Sequence, residues 1–74
     1  MWFRVKEKDI LVEAKYVAIE SSIFGKGKVS ITCRVSGADM ATTLCTYESM
    51  EEAKRVFEDI QNSIAQGEKL YIMS

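Results

Sequence analysis

Apolar and polar residues alternate over the first two thirds of the chain. Phe3 and Val5 alternate with Trp2, Arg4 and Lys6, which predicts a short strand, and Glu7-Lys8-Asp9 predicts a polar turn after it. Ile10, Val12 and Ala14 continue with period two, and Val17 and Ile19 follow on the opposite parity. One extra residue near Lys15-Tyr16 keeps both sets on a buried face, so a β-bulge or break is expected there. Ser21 to Lys28 holds Gly25 and Gly27 and reads as a loop. Val29, Ile31, Cys33 and Val35 then alternate with Ser30, Thr32, Arg34 and Ser36. That is the pattern of an antiparallel strand with one buried and one wet face. Gly37-Ala38-Asp39 turns the chain, and the Thr-rich segment Ala41 to Tyr47 suits a fourth strand.

The period changes at Ser49-Met50-Glu51-Glu52, where Ser49 and Glu52 have capping-box spacing. Ala53, Val56, Phe57, Ile60 and Ile64 form one apolar stripe at helical spacing, and Glu51 with Arg55 makes an i,i+4 pair on the other side. Gly67 stands where a left-handed C-cap is wanted. A helix is expected from about Met50 to about Gln66, and Leu70 to Met73 suits a short last strand. The fold class that follows is α+β: a four- to five-stranded antiparallel meander in one domain spanning residues 1–74. The single C-terminal amphipathic helix lies across one face.

Composition changes this picture mainly by exclusion. The chain has 74 residues, two cysteines, no histidine and no proline. Histidine-based catalysis is excluded within it, and a zinc site built from cysteine alone needs about four thiols. A domain of this size buries only about 60% of its unfolded surface, which leaves little material for a catalytic cleft. The expectation is a non-enzymatic protein that binds no cofactor and no metal. The N-terminus lacks the apolar core of a signal peptide, and no apolar run approaches the ~20 residues of a membrane span. A cytoplasmic setting without membrane contact is therefore expected, with both thiols reduced.

The candidate chemistry is thin. Cys33 and Cys45 fall on neighbouring strands and face each other only if the hairpin loop spans residues 37–41. Two small buried apolar side chains account for them better than a redox pair or half of a shared metal site, because no Cys-x-x-Cys spacing, helix N-terminus or histidine is present to lower a thiol pKa. Glu48, Glu51, Glu52, Glu58 and Asp59 mix with Arg55 at helical spacing, as on a solvated helix face. Phe24-Gly25-Lys26-Gly27-Lys28 has a superficial phosphate-loop look, but it lacks the six-residue glycine spacing, the following hydroxyl and the strand–helix context.

Two kinds of partner remain. Trp2, Tyr16, Tyr71 and Met73 fall outside the cleanest core stripes, and aromatic and Met side chains are enriched in interface cores. A homodimer or another protein partner is the leading expectation. Lys15, Lys26, Lys28 and Arg34 belong to the sheet region and, beside aromatic faces, would suit weak nucleic-acid contact. Charge speaks against strong binding of that kind. Ten Lys and Arg against eleven Asp and Glu give a net charge of −1, and the pI is near 5.4.

The start Met1-Trp2-Phe3-Arg4, with Lys8 and Leu11-Val12, resembles small uncharacterised proteins of Gram-positive bacteria and their phages. Tyr47-Glu48-Ser49-Met50-Glu51-Glu52-Ala53, followed by Val56, Asp59-Ile60 and Gly67-Glu68-Lys69-Leu70-Tyr71, is similar to the second half of the same group. No activity is known for that group, so the resemblance implies no catalytic residue. It implies a bacterial or prophage setting in the cytoplasm and a small accessory or host-interaction factor.

Overall fold

The alternating segments do become strands, but they divide between two sheets instead of forming one meander. A computed structural model describes residues 1–21, 28–35 and 41–73. Its elements are β1 (Trp2–Arg4), β2 (Leu11–Glu13), β3 (Tyr16–Ser21), β4 (Val29–Arg34), β5 (Thr42–Tyr47), α1 (Met50–Ala65) and β6 (Leu70–Ile72). One sheet has the order β2-β1-β6, the other β3-β4-β5. The second is antiparallel throughout. The first is mixed, because β6 pairs with β1 in parallel. The architecture is α+β and mostly antiparallel, as its patterning implies. The single meander is corrected by that non-local β1–β6 pairing.

The parity flip after Ala14 marks the passage from one sheet to the other. The Ala14 amide donates to the Met1 carbonyl at 3.1 Å, while the next amide, of Lys15, donates to Arg34 at 2.8 Å. The β-bulge lies elsewhere. Ile31 faces Cys45 and Thr32 faces Thr43, so Leu44 is the extra residue of β5. It lets Leu44 and Cys45 both be buried in succession. On β4, Val29, Ile31 and Cys33 are buried as their alternation requires. Thr32 on the opposite face is buried too, between its partners Ala18 and Thr43. The hairpin turn at Gly37-Ala38-Asp39 and most of the Ser21 to Lys28 loop lie outside the described residues.

Helix α1 packs on the antiparallel sheet through β3, β4 and β5. Ser49 Oγ accepts from the Glu52 amide at 3.2 Å, satisfying one of the free donors of the first turn. At the other end the Gly67 amide donates to Ile64 and the Glu68 amide to Ser63, each at 3.0 Å. This is a Schellman motif, and it places Gly67 at φ +79°. Ala53 and Ile60 are buried, and Val56 and Phe57 are half-buried. Ile64 is 54% exposed and does not belong to the core. The apolar stripe of the helix thus runs one turn beyond its last buried residue, Ile60.

The core joins both sheets to the helix, with Phe3, Ile31, Cys33, Leu44 and Ile60 its most deeply buried large side chains. Ile10, expected on a buried face, is exposed at the end of the β1–β2 hairpin. Glu7 in that hairpin turn adopts φ +60°, the left-handed region. No helix is long and apolar enough to cross a membrane, among the described residues.

Candidate interaction surface

The mixed sheet has an inner and an outer face, and both are apolar. Register fixes which residue stands on each. Phe3, Val12 and Tyr71 are aligned across the three strands on the inner face. On the outer face one row runs Glu13, Trp2, Leu70 and the next runs Leu11, Arg4, Ile72. Trp2 is 44% exposed, Leu11 58%, Leu70 47% and Ile72 61%. These four side chains share one face of the sheet, Trp2 beside Leu70 and Arg4 between Leu11 and Ile72. Two opposite charges punctuate it. Arg4 pairs with Asp9 at 3.1 Å, with both side chains well exposed, and Glu13 stands at the edge strand.

The outer face of the antiparallel sheet is of the opposite character. Register places Tyr16 beside Arg34, then Ala18 and Thr32 beside Thr43, then Glu20 and Ser30 beside Thr46. Ser30 and Thr46 hydroxyls are hydrogen-bonded at 3.0 Å. The Arg34 guanidinium lies 6.0 Å from the centre of the Tyr16 ring, at the reach of a cation–π contact.

The expected interface residues therefore separate. Trp2 stands at the centre of the exposed patch. Tyr16, 53% exposed, belongs to the other sheet. Tyr71 points inward, 6.0 Å from the Phe3 ring centre, with its hydroxyl donating to Asp59 at 2.5 Å. Met73 is only 4% exposed and is core, not surface. Its amide donates to the Arg4 carbonyl, which carries the parallel pairing one residue further and turns its side chain inward with that of Tyr71. Leu11, Leu70 and Ile72 escaped the period-two pattern, yet a signal was present. Trp2-Phe3, Leu11-Val12 and Leu70-Tyr71-Ile72 are apolar on both parities, and a strand apolar on both parities has two apolar faces.

Lys15 and Arg34 come together at one end of the antiparallel sheet, where the Lys15 amide donates to the Arg34 carbonyl at 2.8 Å, but Lys28 does not join them. Lys28 and Arg34 flank opposite ends of β4, about 20 Å apart along the strand. Lys15 lies at the passage between sheets, and Lys26 lies outside the described residues. Lys15 also lines a half-open groove of about 410 Å³. Phe3, Ala14, Val17, Phe57, Ile60 and Ile64 form its apolar walls, with Met1, Tyr16 and Gln61 completing it.

Buried polar chemistry is modest. Cys33 and Cys45 are both free and buried. They are not opposite each other, since Cys33 faces Thr42 and Cys45 faces Ile31 across the bulged register. Burial pushes the Cys33 thiol up, away from the reactive thiolate. The Tyr47 hydroxyl is buried, with no hydrogen-bond partner of ordinary geometry among the described residues. Burial first, and then the neighbouring Cys45 thiol, push its ionisation well up. No cluster of metal-ligating side chains occurs among the described residues. The acidic helix face carries the Glu51–Arg55 pair at 3.8 Å, in solvent.

No protein-family model matches the chain, no curated protein matches it, and no solved structure matches it.

Proposed function

We propose that this protein is a small, non-enzymatic interaction module that self-associates through the outer face of the mixed sheet. The observation that carries this reading is the patch of Trp2, Leu11, Leu70 and Ile72, four large apolar side chains left about half in water. Two features favour a second copy of the chain as the occupant. Arg4 and Glu13 give the patch one charge of each sign, so a two-fold contact can set each against its opposite. Four large side chains are also few beside the roughly 20–30 residues a side of a stable interface, which suits a weak, reversible dimer. The same surface is where a heterologous protein partner would compete. The setting proposed is a bacterial or phage cytoplasm, where both buried cysteines remain thiols.

The test is sedimentation across micromolar to millimolar protein concentration. A mass rising from monomer to dimer is expected, and Leu70→Lys or Ile72→Lys should hold the chain monomeric with an unchanged circular dichroism spectrum. A monomer throughout that range would refute self-association. The weaker alternative, nucleic-acid contact through Lys15, Lys26, Lys28 and Arg34, predicts steep salt dependence, and the separation of Lys28 from Arg34 does not favour it.

A further inference from the structure

The groove beside the C-terminal turns of α1 is separate from the outer patch and differs from it in chemistry. Its floor and walls are Phe3, Phe57, Ile60 and Ile64 with the small side chains of the sheet crossing. Its polar lining is limited. Lys15 contributes one cation and Gln61 one amide, and no acidic side chain lines it among the described residues. Its volume of about 410 Å³ is in the range of small-molecule sites. Ile64, 54% exposed, lines the groove near the C-terminal end of α1.

We propose that this groove binds a medium-chain aliphatic carboxylate, its chain along Phe3, Phe57, Ile60 and Ile64 and its carboxylate at Lys15. The apolar walls select a hydrocarbon body. The unopposed sign of the lining selects an anionic head over a cationic one, and the Gln61 amide can donate to the same head group.

The test is an amide-resolved NMR titration with decanoate, decanol and decyltrimethylammonium, each below its micelle concentration. It is run on the Leu70→Lys variant, so that the state of the outer patch does not enter, and repeated on Ile72→Lys. Decanoate should shift Ala14, Val17, Gln61 and Ile64, and octanoate should bind roughly tenfold more weakly for its two missing methylenes. Lys15→Glu, an exposed position, should lower decanoate affinity about tenfold and improve that of the ammonium compound. Equal binding of all three amphiphiles, shifts centred on Trp2 and Leu11 instead, or no shift at all would each overturn the proposal.

Discussion

Tyr71 and Asp59 are joined by a 2.5 Å hydrogen bond between the phenol and a carboxylate oxygen, and this bond ties β6 to α1. The Tyr71 ring sits 6.0 Å from that of Phe3, so one side chain links the mixed sheet, its own central strand and the helix that covers the antiparallel sheet. Tyr71→Phe keeps the ring contact and removes the bond. The bond is exposed, so the loss should be about 1 kcal/mol, read from chemical denaturation.

Alkaline pH should weaken the fold by a related route. Burial, followed by the bond to Asp59, pushes Tyr71 from 10.0 up to about 12. Between these values the unfolded chain has given up a proton that the folded chain keeps, so stability must fall as pH rises through that window. Below pH 10 the contribution is fully present. Tyr47, also pushed up by burial, acts in the same direction. Tyrosinate absorbance followed against unfolding should show both, and Tyr71→Phe should reduce the decline without abolishing it.

Two phenylalanines that look alike in sequence should differ in cost. Phe3 is fully buried between the sheets and the helix, so Phe3→Ala should cost about 3–5 kcal/mol. Phe57 lies on the predicted helix stripe but is half-buried at the groove wall. Phe57→Ala should cost clearly less, about 2 kcal/mol, because water already reaches one side of the ring. Equal losses in thermal unfolding would contradict this placement.

The two ends of α1 make separate demands. Ser49→Ala should cost about 1 kcal/mol through the unmet Glu52 amide. At Gly67 an added Cβ meets nothing within 4 Å, so only the φ of +79° resists substitution. Gly67→Ala should cost about 1 kcal/mol, and Gly67→Asn less, since asparagine tolerates the left-handed region better. If alanine and glycine melted alike, the cap would not be needed.

Local features were the legible ones. The Ser49 cap, the Gly67 turn and the alternation from Val29 to Val35 depend on neighbours a few residues away, and the sequence determines them directly. What depends on distant pairing was hidden. Met73 and Tyr71 point inward only because β6 lies beside β1, and nothing local to residues 70–73 specifies that neighbour. The Leu44 bulge is a register matter between two strands, settled by burying both Leu44 and Cys45. Ile64 obeyed the helix period and still faced solvent, because a periodic stripe does not reveal what packs against each of its positions. The outer patch was legible in part, through Trp2. Its remaining members were masked by being apolar next to apolar, where an alternating pattern offers no contrast.

The parallel pairing of β1 with β6 also dictates an order of assembly. β1 is synthesised well before β6 and has only the short β2 as partner until then, and an isolated two-stranded hairpin is marginal in water. The antiparallel sheet and α1 draw on closer segments and can form earlier. During that interval Phe3 lacks Tyr71, and one flank of β1 presents unpaired amides and carbonyls. The mixed sheet is thus the part of the fold that needs both ends of the sequence, and a chain cut off at Gln66 would carry an open strand edge bordered by Trp2, in a form suited to capture a stray strand.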